Sequence, residues 1–215
     1  MQFKDYTIEL YMNALSSTNP TPGGGTSSAL TAAMGLSFIA MVANISLTKN
    51  CFLPHKNELQ TIADKALALR KDFFEFMDSD SKAYNNLIKT VNQKGSHKES
   101  EFKQLKQEKL LACIKEPFFM LKKIEEGLHL AETLSKNFYK PTASDLGIAA
   151  RNLDNSAFGV YLTIHINKNH IISNEFISNI IHESDIILKN ISELNSCVSK
   201  RITAIIGSGF VNEKD

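Results

Sequence analysis

The sequence predicts an all-α protein, an antiparallel bundle of about six helices, several of them long. Three observations carry this. Apolar residues recur at steps of three and four over most of the chain. No stretch alternates apolar and polar residues as a half-buried strand would. The breakers gather at a few points, Pro20 to Gly25, Pro54, Gly95 to His97 and Pro141, and leave long uninterrupted segments between them. At 215 residues one sizeable core can form, and with no linker-like stretch the reading is a single domain over 1–215.

Taken in order, Asp5 or Thr7 caps a short amphipathic helix through about Leu15, with Ile8, Tyr11, Met12 and Leu15 on one face. Then comes Asn19-Pro20-Thr21-Pro22-Gly23-Gly24-Gly25-Thr26-Ser27-Ser28. Two prolines exclude helix up to Pro22, and three glycines allow φ > 0 and the close approach of another group. Thr26, Ser27 and Ser28 are N-cap candidates for the next helix. The product is a loop delivering unpaired N–H groups at a helix N-terminus, suited to a carboxylate, a phosphate or a polarised carbonyl. The same run also suits a plain close crossing of two helices, and its spacing is neither that of the P-loop nor that of the dinucleotide fingerprint.

Ala29 to Leu47 carries no charge over about a membrane-spanning length. Thr31, Gly35, Ser37, Asn44, Ser46 and several alanines dilute it, so it reads as the central helix of a bundle, with Ser27, Thr31 and Gly35 admitting a close neighbour. A long helix runs from about His55 to about Gln93, and another from near Glu99 to about Asn137, with a kink expected at Pro117. Ser144 is placed to cap a helix from Asp145 to about Asn167. Ser173 or Asn174 caps the last, whose stripe runs from Ile177 to about Ile206.

In the third helix Leu59, Ile62, Ala66, Leu69, Phe73, Phe76, Asp80, Ala83 and Leu87 step alternately by three and four, which puts Asp80 in a core seam. A carboxylate there must be paired, hydrogen-bonded or protonated, and such groups gather at functional sites; a structural partnership with a donor on another helix is the alternative. Asp78 points away and reads as a solvated residue pairing with Lys82. In the fifth helix Asp145, Asn152, Ser156, Gly159 and Thr163 form a polar, small-residue stripe that fits a ligand groove or a close crossing. Lys49 comes after the central helix, either favouring its C-terminal dipole or meeting an acidic ligand. No histidine has metal-ligand spacing with further ligands, so no metal site is expected.

The formal net charge of +1, with 22% charged residues, argues against a nucleic-acid or polybasic membrane surface. Small molecules or further copies of the chain are the expected partners. Cys51, Cys113 and Cys197 are odd in number and unpaired in spacing, Met1 does not lead into a signal-like run, and a cytoplasmic protein is expected.

Several segments together resemble one family. They are Pro22-Gly23-Gly24-Gly25-Thr26-Ser27-Ser28-Ala29, Met41-Val42-Ala43-Asn44 with Lys49, Asp78-Ser79-Asp80-Ser81-Lys82-Ala83-Tyr84, Glu116-Pro117, and Ser144-Asp145-Leu146-Gly147-Ile148-Ala149-Ala150 on to Phe158-Gly159 and Asn167. Over nearly the whole chain and in the same order they resemble the cyclodeaminase/cyclohydrolase family of folate one-carbon enzymes. The resemblance implies a helical homodimer that binds a tetrahydrofolate derivative as substrate, with no metal and no tightly bound cofactor. It implies formiminotetrahydrofolate cyclodeaminase activity, with methenyltetrahydrofolate cyclohydrolase as the alternative and a non-catalytic folate-binding or scaffold protein as a second one. Asp80 is then the expected acid/base, with Asp145 as its partner or a pterin acceptor, and Lys49 as the residue for a folate carboxylate or the departing group. Gly23, Gly24, Gly25, Thr26, Ser27, Asn44, Ser144 and Asn152 are the expected binding residues, while Asn167 lies about 33 Å along the helix from Asp145 and is assigned to the other subunit's site or to a structural contact.

Overall fold

Six α-helices build the fold in the computed structural model, which describes residues 2–94 and 98–208. They are α1 (Ile8–Leu15), α2 (Gly24–Leu47), α3 (Lys56–Asn92), α4 (Glu99–Leu134), α5 (Ala143–Lys168) and α6 (Glu175–Gly207). Short 3-10 turns at Phe3–Asp5, Asn50–His55 and Lys140–Thr142 accompany them, and there is no strand among the described residues. The turn expected at Gly95 to His97 lies outside them. The helical bundle is therefore as the sequence predicts.

α2 is the axis of the packing. It lies against α3 on one side and α5 on the other, α4 closes the bundle opposite it, and α6 lies across α4 and α5. α2 and α5 run in opposite directions: Ser156 Oγ donates to the Ser28 carbonyl at 2.7 Å near one end, and the Tyr139 N–H donates to Ser46 Oγ at 2.9 Å near the other. Gly35 makes their crossing close, since a Cβ there would stand 2.9 Å from the Ala149 carbonyl oxygen. Ala29, Ala32, Ala33, Leu36, Ile39, Ala40, Val42 and Ala43 of α2 are all buried. α2 is long and apolar enough to cross a membrane, yet it is the core helix of the bundle. One line along it, Thr31, Met34, Phe38 and Met41, stays unburied.

Several local expectations need correction. Gly23 is the N-cap of α2 and gives no side-chain cap bond, so Thr26, Ser27 and Ser28 fall inside the first turns rather than before them. Ser144 does not cap α5, which begins at Ala143. α1 is not amphipathic in its packing: only Tyr11 is buried, and Ile8 remains 81% exposed. In α3 the seam holds from Leu59 through Phe73 and then passes to Met77 and Ser81, leaving Phe76, Asp80 and Ala83 partly buried beside it. A strict three-four alternation slips against the real helical period, by about 20° per heptad, and over so long a helix the core line moves to the next position. α4 continues through Pro117. Thr7 caps α1 and Asn174 caps α6, each side-chain oxygen accepting the N–H three residues on.

Candidate active site

The first turn of α2 closes on Asp80 of α3. Thr26 Oγ1 donates to Asp80 Oδ2 at 3.1 Å, the Thr26 main-chain N–H donates to the same carboxylate, and Thr26 Oγ1 also shares a 2.8 Å hydrogen bond with Ser81 Oγ. A helix N-terminal N–H and a hydroxyl thus converge on one carboxyl group. Gly25 is glycine for want of space: a Cβ there would run into the Asp80 carboxylate. Gly23 is extended, with φ −125°, so the run serves close approach rather than left-handed geometry.

Burial pushes the Asp80 carboxyl above its ordinary value; the two Thr26 donors pull it back, and the negative charge of Glu116 adds to the upward push. Glu116 is held by Ser79 Oγ at 2.9 Å. Burial likewise pushes the Cys113 thiol up to about 11, aided by Asp80, so Cys113 is a neutral wall of the site and not a nucleophile. Asp80 opens onto a cavity of about 270 Å³ lined by Pro20, Thr21, Gly23, Gly24, Gly25, Tyr84, Cys113, Thr163, Ile166 and Asn167. Ligand sites usually measure roughly 300–1,000 Å³, so one chain by itself encloses room for a ring system rather than a whole folate. Larger grooves of about 680 and 810 Å³ run between α5 and α6, but the carboxylate they share, Asp154, is already engaged by Asn195 at 2.8 Å and Arg151 at 3.7 Å.

The expected site residues divide into two groups. Gly23, Gly24, Gly25, Thr26, Ser27 and Asp80 lie together at one end of the bundle. Asn44, Lys49, Ser144 and Asp145 lie at the other, with Asn152 between them at the Gly35 crossing. From Gly25 to Asn44 is about 28 Å along α2, and from Asp145 to Thr163 about 27 Å along α5. Within one chain Asp145 therefore does not act on the charge of Asp80; burial does so first, with the Thr26 donors opposing it and Glu116 adding a smaller push. Lys49 Nζ sits 4.7 Å over the Tyr139 ring. Of the α5 stripe, Ser156 and Gly159 serve the crossing with Ser28, while Thr163 reaches the cavity. Asp78 is not a solvated partner of Lys82: its Oδ1 accepts the Phe3 N–H at 2.9 Å, and its Oδ2 is buried without a hydrogen-bond partner. Among the described residues no three His, Cys, Asp or Glu side chains stand where they could hold a metal ion.

Sequence reasoning gave no site role to Tyr84, Cys113, Glu116 or Tyr11, although Tyr84 and Glu116 stand in the segments that carry the family resemblance. Tyr84 was within reach, being one helical turn beyond Asp80 on the same face. Cys113 and Glu116 lie on a helix whose register against α3 no local pattern states.

The chain has relatives. The chain matches the formiminotransferase-cyclodeaminase family model over residues 7–185, and it belongs to that family. It is 24% identical over 198 residues to the methenyltetrahydrofolate cyclohydrolase of Methylorubrum extorquens, covering 91% of this chain and 95% of that protein. It is 28% identical over 189 residues to the formimidoyltransferase-cyclodeaminase of Dictyostelium discoideum, covering 87% of this chain and 34% of that one. The chain thus spans about a third of that relative. The crystal structure of a formiminotetrahydrofolate cyclodeaminase from Thermotoga maritima superimposes with a TM-score of 0.87 at 21% identity, over 95% of this chain and all of that one, and shows the same fold.

Proposed function

We propose that the chain is a formiminotetrahydrofolate cyclodeaminase, closing 5-formiminotetrahydrofolate to 5,10-methenyltetrahydrofolate with release of ammonia. The observation that carries this is Asp80, a carboxyl with raised proton affinity, fixed by two donors and opening onto a cavity. N10 of the folate attacks the formimino carbon, and the tetrahedral centre collapses when its amino group leaves as ammonia. On its way from imine to ammonia that nitrogen gains two protons while N10 loses one, so one further proton comes from solvent. A carboxyl whose proton affinity burial raises is suited to giving a proton to the leaving nitrogen and, once ionised, to taking the one from N10. The cavity walls hold the two nitrogens against the shared carbon. No metal or resident cofactor enters this reading, and the setting is cytoplasmic.

Cyclohydrolase action, in which water opens the methenyl bridge to 10-formyltetrahydrofolate, is the second reading. It is favoured by the Methylorubrum relative, which aligns over nearly the full length of both proteins. Absorbance at the methenyl band separates the two. Appearance of the band from 5-formiminotetrahydrofolate with ammonia release supports the first, and enzyme-dependent decay of 5,10-methenyltetrahydrofolate without ammonia supports the second. Silence in both, with folate bound, would leave a non-catalytic folate-binding protein.

The assembly we infer is a homodimer. Unburied Thr31, Met34, Phe38 and Met41 form one line along α2, and unburied Ile148, Phe158, Leu162 and Ile166 lie on one side of α5; we take the two lines as one apolar face. A two-fold axis across this apolar face sets each helix antiparallel to its copy. The Asp145, Asn44 and Lys49 end of one subunit then meets the Asp80 end of the other, enlarging a cavity too small for a whole folate. Asp145 and Lys49 keep their expected roles in this arrangement, across the subunit boundary.

A further inference from the structure

We propose that Tyr11 is a positioning residue for the site, through which the N-terminal arm, residues 2–22, holds the first turn of α2 against Asp80. The proposal rests on the reading of Asp80 as the acid/base. α1 is a short helix whose other large apolar residues face solvent, Ile8 at 81% and Met12 at 50% exposure, whereas Tyr11 is only 3% exposed. A helix of two turns does not hold itself in water, so its place depends on what Tyr11 grips. Its phenol exchanges a 3.2 Å hydrogen bond with Ser27 Oγ, and Ser27 is the neighbour of Thr26, the residue that donates twice to Asp80.

The arm's second grip is equally close to the chemistry. The Phe3 N–H donates to Asp78 Oδ1 at 2.9 Å, and the Phe3 ring meets the Tyr11 ring edge-on with centroids 6.2 Å apart. The arm is thus tied to α2 one residue after Thr26 and to α3 two residues before Asp80, on both partners of the catalytic contact. Its far end supplies Pro20 and Thr21 to the cavity wall. The Tyr11 hydroxyl does not line the cavity. It acts on the substrate only by fixing where the Thr26 donors point.

The test compares the full-length protein with Tyr11→Phe and, as a second removal of the same bond, Ser27→Ala. Amide hydrogen exchange is read at residues 24–28 and, as reference, in the core of α4, alongside kcat and KM for the folate that wild type turns over. Each variant is expected to exchange faster at 24–28 with α4 unchanged, and Tyr11→Phe to lose about tenfold in kcat with KM altered less than twofold. The double variant should be no worse than Ser27→Ala. Unchanged exchange at 24–28, or an unchanged kcat in Tyr11→Phe, would overturn the proposal. If wild type turned over neither folate, the assigned function would fall, and the exchange comparison alone would decide whether Tyr11 holds the turn.

Discussion

Asn167 of α5 donates from Nδ2 to the main-chain carbonyl of Cys113 in α4 at 2.8 Å. That carbonyl is the one Pro117 leaves without a helical partner, because proline has no N–H to give to the residue four positions before it. A side chain from another helix fills the gap, which is how α4 runs on through a buried proline. The same bond fixes one wall of the cavity, to which both Cys113 and Asn167 belong.

Asn167→Ala is expected to cost about 1–2 kcal/mol, the usual penalty for a buried acceptor left unmade. Pro117→Ala restores the missing N–H, so Asn167→Ala should cost much less in that background. A double-mutant cycle by urea unfolding measures the difference, and an equal cost in both backgrounds would refute the account.

Asp80→Asn should lose roughly 10²–10⁴-fold in turnover while still binding folate, since the amide keeps the shape but cannot pass a proton. The stability effect has a definite sign. Burial raises the folded-state value of Asp80 above its ordinary 3.8, so the native state binds the proton more tightly than the unfolded chain. Wild-type stability is then penalised as pH rises from that value through the raised one, and the penalty is constant above it. Asp80→Asn escapes this, so its melting temperature relative to wild type should climb over the same interval. A difference independent of pH would mean that its surroundings do not raise the proton affinity of Asp80.

Gly25 and Gly24 are neighbours with opposite expectations. Gly25→Ala pushes a methyl group into the Asp80 carboxylate and should sharply reduce turnover, whereas a Cβ at Gly24 meets nothing within 4 Å. Gly24→Ala should be neutral or stabilising by up to about 1 kcal/mol. Steady-state kinetics with thermal melts on both variants checks this. Equal damage from the two would show that the turn needs flexibility rather than space.

Subunit mixing tests the shared site. Asp80→Asn and Asp145→Asn homodimers should each be nearly inactive, and a heterodimer of the two carries one site with both residues intact. Unfolding and refolding a mixture should restore activity, up to about half the wild-type value per heterodimer. No recovery, with heterodimers demonstrated by mass, would place Asp145 outside the Asp80 site.

The sequence by itself determined the helices, because their apolar spacing and the Pro and Gly breaks are local facts. It pointed to Asp80, since a carboxylate read into a seam of large apolar residues is conspicuous in one dimension, although in space it stands beside that seam. The loop geometry was less legible: Thr26 looked like a cap, but in space it is the donor to a carboxylate 54 residues away. Nor could spacing show that Asp145 and Asp80 stand at opposite ends of one chain, because that results from α2 and α5 running antiparallel. Tertiary structure alone decided what surrounds Asp80, and with it the direction in which its proton affinity moves. Desolvation and the charge of Glu116 depend on which helices pack against α3, and these are long-range relations that no window of the sequence contains.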